Sequence, residues 1–69
     1  MNVLVSFPYL GMDDAGETTR EWAHMRFSSS EYIQTRRVKR EVRKWVKRNL
    51  GRTLHTRELL LIMKRAVRE

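Results

Sequence analysis

The chain has 69 residues, a formal net charge of +7 and no cysteine. A single small domain of this length buries only about 60% of the surface that its unfolded chain exposes, so its core is small. The missing cysteines exclude disulfides and thiolate metal sites, and no apolar run approaches the roughly 20 residues of a membrane-spanning helix.

The charge is unevenly distributed along the chain. Residues 1–31 hold two basic and five acidic residues, a net of −3, whereas residues 32–69 hold thirteen basic and three acidic residues, a net of +10. This asymmetry favours a polyanionic partner. The apolar start, residues 3–10, lacks a basic leader and is too short for a signal peptide, so we expect a cytoplasmic protein that does not enter a membrane.

Residues 1–27 are predicted to form a β-hairpin region. Residues 2–10 alternate in side-chain polarity, which indicates a strand, and Pro8 places it at a sheet edge or end because proline has no N–H to donate. Residues 11–16 contain two glycines and two aspartates, as expected of a turn.

Residues 18–27 fit either a strand or a helix that begins with Thr18 and Glu21 as a capping box. We favour a strand over 20–27 because it can pair with 2–10. Such a strand points Ala23, Met25 and Phe27 to one side and Trp22, His24 and Arg26 to the other.

One amphipathic helix is predicted over 28–50. Ser28 and Glu31 have the spacing of a capping box, and Gly51 suits the left-handed site that ends a helix. Its apolar face holds Val38, Val42, Trp45 and Val46, with Tyr32 and Leu50 at its edge. The candidate nucleic-acid-binding residues are the basic ones on and beside its opposite face: Arg36, Arg37, Lys39, Arg40, Arg43, Lys44, Lys47, Arg48 and Arg52. Like charges four residues apart repel by roughly 0.2–0.5 kcal/mol per pair, which a bound anion would relieve.

A C-terminal helix is predicted over 56–68, with Thr56 as its N-cap and Glu58 in its first turn. Its core stripe is Leu59, Ile62, Met63, Ala66 and Val67. Leu60 and Leu61 widen that stripe beyond what one partner helix needs, so we expect a homo-oligomer formed through this helix. The predicted fold is α+β, a single ββαα domain over 1–69.

No catalytic constellation is visible, and we expect neither an enzyme nor a bound cofactor or metal. The three glycines lack the spacing of a phosphate-binding loop. Asp13 and Asp14 are better explained by a solvated turn than by metal binding, and His24 and His55 have no nucleophile or carboxylate beside them in the sequence.

Residues 22–69 resemble the ribbon-helix-helix repressors of the Arc type. The likeness rests on HMRFSSSEYIQ and on the junction from Asn49 to Glu58, where a first helix ends near a glycine and a threonine-containing link leads to a second helix. The resemblance implies that the protein dimerises by pairing strands and binds DNA with the ribbon in the major groove. It implies that Trp22, His24 and Arg26 read bases, and that amides near Thr53 and Thr56 hold a phosphate at the start of the second helix.

Two other functions fit the same residues. Residues 34–41 are similar to the arginine-rich RNA-binding helices of lambdoid phage antitermination proteins. A small phage-like inhibitor could instead place the basic face on an acidic host protein. The sequence favours a DNA-binding transcriptional regulator over these two alternatives.

Overall fold

A computed structural model describes residues 1–69. In chain order the elements are β1 (Asn2–Met12), β2 (Thr18–Ser28), α1 (Ser29–Tyr32), α2 (Thr35–Leu50), α3 (Thr56–Lys64) and β3 (Val67–Arg68). The strands form one antiparallel sheet in the order β2-β1-β3, which confirms the predicted α+β class. None of the helices has the length and apolar character needed to cross a membrane.

The ambiguous stretch 18–27 is a strand, and the predicted hairpin is confirmed. β1 and β2 pair along their whole lengths, from Asn2 opposite Ser28 to Met12 opposite Thr18. Asp13 stabilises the connecting turn, because one of its carboxylate oxygens accepts the N–H groups of Ala15 at 3.0 Å and of Glu17 at 2.8 Å. The backbone of Asp13 also pairs with that of Glu17, at 3.0 Å.

The C-terminal helix predicted over 56–68 ends four residues early, at Lys64, and a third strand follows it. Val67 pairs with Leu4, and the N–H of Glu69 donates to the carbonyl of Asn2 at 2.8 Å. Strand pairing therefore satisfies backbone groups at the edge of β1 that would otherwise be unpaired, and this outweighs the helical periodicity of Ala66 and Val67. β3 stops at Val3 and Leu4, so β1 is an edge strand where it reaches Pro8.

The helix predicted over 28–50 is broken into two. The capping box at its start is present: the N–H of Ser28 donates to Glu31 at 3.0 Å, and the N–H of Glu31 donates to the Ser28 hydroxyl at 3.2 Å. In one straight helix, Tyr32 would lie about 120° around the axis from Val38. The break lets Tyr32 pack beside Phe27 and donate its hydroxyl to the carbonyl of Met63 at 2.9 Å. Gly51 ends α2 in the left-handed conformation, at φ 66°, as predicted.

The core lies between the helices and one face of the sheet. The hairpin contributes Val5, Phe7, Ala23 and Phe27, and α2 contributes Val38, Val42 and Val46. Leu59 of α3 and Leu54 of the connection between α2 and α3 complete it. Leu54 lies in a segment that the sequence assigns only to a tight connection, and its burial was not predicted.

Candidate nucleic-acid interface

The exposed face of α2 is fixed by the three valines on its other side. Val38, Val42 and Val46 recur every four residues and are completely buried against the sheet. Since an α-helix repeats every 3.6 residues, this stripe directs the side chains on the opposite side of the helix toward water. The predicted basic residues of α2 are all exposed except Lys39, which is half-buried at the border of the face.

Most of these cations have no acidic partner. Arg37 lies 3.5 Å from Glu31, and Arg52, beyond the end of the helix, lies 3.3 Å from Glu58. The other predicted residues make no salt bridge; we call this set the basic face, and it comprises Arg36, Lys39, Arg40, Arg43, Lys44, Lys47 and Arg48. Glu41, the single acidic residue of α2, is half-buried and pairs with none of them.

The basic face extends along the whole helix. The 16 residues of α2 span about 24 Å, at a rise of 1.5 Å per residue. The N-terminal end of α2 has neither a side-chain cap nor an acid in its first turn, so the positive end of the helix dipole adds to the charge of Arg36. At the other end, Lys47 and Arg48 lie where the helix dipole stabilises cations. The result is a continuous line of positive charge on a rigid element.

The predicted phosphate site at the start of α3 has a different arrangement. Thr53 and Thr56 are both exposed, and the N-cap is His55, not Thr56 as predicted. The Glu58 carboxylate accepts the N–H of His55 at 3.3 Å and pairs with Arg52. Hydrogen bonding from Arg52, and then from the His55 backbone, lowers the pKa of Glu58. A carboxylate thus already lies at the positive end of this helix, where it would compete with a phosphate.

The predicted base-reading residues lie on the opposite side of the molecule from the basic face. Trp22, His24 and Arg26 alternate with the core residues of β2 and point away from the helices, as predicted. They are opposite Pro8, Ser6 and Leu4 of β1. The structure therefore does not bring the two predicted groups together, and a single copy cannot apply both to one groove.

Two of these three side chains are held by neighbours. Arg26 donates to the Glu69 carboxylate from Nε at 2.8 Å and from a terminal nitrogen at 3.3 Å, and these bonds raise the pKa of Arg26. His24 Nδ1 lies 2.9 Å from the Ser6 hydroxyl. Glu69 was not predicted as a partner, because the contact spans 43 residues and depends on the third strand. Trp22 remains 53% exposed.

No cluster of three or more histidine, aspartate or glutamate side chains has a geometry that could hold a metal ion. Comparison with known proteins finds no family model, no curated protein and no solved structure that matches the chain. The likeness to ribbon-helix-helix repressors therefore stays a prediction.

Proposed function

We propose that the protein is a small DNA-binding regulator that contacts the phosphates of a duplex through the basic face. The observation that carries this proposal is the set of seven cations without acidic partners on one side of α2. No acidic side chain of the protein forms a salt bridge with them to offset their mutual repulsion. A polyanion supplies the missing negative charge, and the release of its counterions favours binding.

The composition of the basic face favours nucleic acid over an acidic protein. Protein interfaces usually centre on apolar or aromatic anchors, with charges at the rim. The basic face has no such anchor, because Val38, Val42 and Val46 are buried and Trp45 points toward β1. Duplex DNA, in contrast, offers a charge about every 1.7 Å along its axis and needs no apolar anchor.

The shape of the surface favours DNA over duplex RNA. The major groove of B-DNA, about 12 Å wide, admits an α-helix, whereas the major groove of A-form RNA is too narrow for side chains to read. Roughly half of the circumference of α2 is exposed and basic, so the helix can lie along the groove with cations directed to both of its phosphate rims.

We also propose that the active form is a homodimer, joined through the outer surface of α3. Leu60 and Leu61 are 50% and 53% exposed in the single chain. Together with the side chains of Arg57 and Lys64 they line a shallow, almost entirely apolar hollow. A second copy would cover these leucines, and two basic faces joined in this way could contact successive stretches of one duplex.

Fluorescence anisotropy of a labelled 20-base-pair duplex tests the proposed interface. We expect Arg40→Ala and Lys44→Ala to weaken binding to all sequences alike. Arg20→Ala is the matched control, because it removes one exposed cation from the opposite side of the molecule. Equal effects of all three substitutions would show that only net charge matters. If the protein were held on a column of immobilised acidic protein at physiological salt but did not bind the duplex there, the inhibitor function would be favoured instead.

A further inference from the structure

The face of the sheet that points away from the helices is not covered by any part of the chain. It is formed by the even-numbered residues of β1 and β2, because the odd-numbered ones point to the helix side of the sheet. We call it the open face. Trp22 lies about midway along the outer strand β2, directly opposite Pro8, and half of its surface is exposed to solvent. The indole therefore leaves a large apolar surface exposed, and it makes no ring contact with another aromatic side chain of the protein.

Two basic residues flank Trp22 along the same strand and the same face. Arg20 and His24 are the alternate residues on either side of it, each roughly 6.7 Å away along the strand. Both are exposed, and Arg20 makes no salt bridge. The Nδ1 contact of His24 with Ser6 leaves its Nε2 free for another partner.

The open face has no unpaired acidic side chain. Its one acid, Glu69, is neutralised by Arg26. Glu21, next to Trp22 in sequence, points to the helix side, where its carboxylate accepts the Thr19 hydroxyl at 3.1 Å. An anion can therefore approach Trp22 between two basic side chains without meeting a negative charge.

We infer that the open face binds unpaired bases of a single-stranded nucleic acid, with one base stacked on Trp22 and Arg20 and His24 contacting the phosphates beside it. Single-stranded nucleic acids bind surfaces that combine basic residues with exposed aromatic rings, because every base has a face that can stack. A base inside a duplex is already stacked and cannot reach the indole. This activity uses the surface opposite the basic face, so it goes beyond the proposed duplex binding and does not depend on it.

The test compares Trp22→Phe with Trp22→Leu, using labelled ten-nucleotide oligo(dT) and oligo(rU) in anisotropy titrations. The titrations are made in an Arg40→Ala, Lys44→Ala background, which reduces non-specific attraction to the basic face. Phenylalanine keeps an aromatic ring and should retain affinity within a few-fold, whereas leucine is apolar but cannot stack and should lose about tenfold or more. Duplex affinity is measured in proteins that retain Arg40 and Lys44. There, Trp22→Phe and Trp22→Leu should each change it less than twofold.

A second measurement uses Trp45→Phe, which leaves Trp22 as the sole tryptophan. Saturable quenching of Trp22 fluorescence by either oligonucleotide supports the inference. The oligonucleotide that binds more tightly identifies DNA or RNA as the source of the bases. Unchanged single-strand affinity in Trp22→Leu, or absence of quenching, would overturn it. It would also be overturned if the Trp22 emission shifted with protein concentration alone, since a second copy of the chain would then cover the open face.

Discussion

Trp45 of α2 meets Phe7 of β1 edge to face, with ring centroids 5.4 Å apart and ring planes at 86°. Tyr9 lies against the same indole at 5.5 Å. Aromatic pairs of this geometry contribute about 0.5–1.5 kcal/mol beyond the area they bury. Together with the buried valine stripe they fix the rotation of α2 about its own axis, because turning the helix would separate Trp45 from both rings and expose the valines. The direction of the basic face is therefore a consequence of packing on the sheet.

The first prediction concerns the buried valine stripe. Val42→Ala should destabilise the protein by about 1–3 kcal/mol, because it removes methyl groups from a fully buried site and leaves a cavity. Val67→Ala is the matched control: Val67 is 59% exposed, and its substitution should cost less than about 0.5 kcal/mol. Urea unfolding followed by circular dichroism gives both values. Equal costs would mean that α2 does not pack through the Val42 side.

The second prediction separates the two tryptophans. Trp45 is half-buried against Phe7 and Tyr9, whereas Trp22 is 53% exposed on the other side of the sheet. Acrylamide, which is neutral and so is not attracted to the positive charge, should quench Trp22 in Trp45→Phe more strongly than Trp45 in Trp22→Phe. The two Stern–Volmer slopes measure this. The opposite order would place Trp45 on the outer side of the protein.

The third prediction is a pH dependence of stability that arises at the start of α1. Hydrogen bonds from Ser28, first from its backbone N–H, lower the pKa of Glu31, and Arg37 lowers it further. A carboxyl whose pKa is lowered by folding stabilises the native state above its ordinary pKa of 4.5, and this contribution is lost as the pH falls through the lower native value.

Glu31→Gln should therefore lower the melting temperature at pH 7 and make it depend less on pH between about 5 and 3. Glu17→Gln is a suitable control, because the Glu17 side chain makes no hydrogen bond in the turn. Thermal melts at several pH values give the comparison. Parallel curves for wild type and Glu31→Gln would show that the capping box does not form in solution.

The fourth prediction concerns self-association through α3. Leu61→Glu places a charge within the exposed apolar surface beside Leu60 and should convert a dimer into a monomer that keeps its fold. Leu10→Glu is the matched control, since Leu10 is 72% exposed but lies on the open face. Sedimentation equilibrium at micromolar concentration distinguishes the species. A wild-type protein that sediments as a monomer would contradict this interface.

The sequence predicts most of the local structure because local signals are strong where one face is buried. The valine stripe of α2, the Ser28–Glu31 capping box and the left-handed Gly51 all follow from spacing. The short strand at Val67 does not, since it depends on the edge of β1, more than 60 residues earlier. Nor does the break near Gln34, which lets Tyr32 reach the carbonyl of Met63, a contact across 31 residues that no local pattern shows.

The sequence predicts which side of each element carries the candidate site residues, but not how the two elements are placed relative to each other. Helical periodicity places the cations on one side of α2, and strand alternation places Trp22 away from the core. That these surfaces lie on opposite sides of the molecule follows only from the layer order of helix and sheet. The ion pair between Arg26 and Glu69 also requires the third strand, which the sequence did not indicate.

The salt dependence of duplex binding tests the central claim most directly. If the basic face neutralises about five phosphates, the logarithm of the binding constant should fall against the logarithm of salt concentration with a slope near −4 to −5. Arg40→Ala and Lys44→Ala should each flatten that slope by roughly one unit, and Arg20→Ala should leave it unchanged. A slope near zero, or one that neither α2 substitution alters, would contradict the assignment of this helix as the DNA-binding surface.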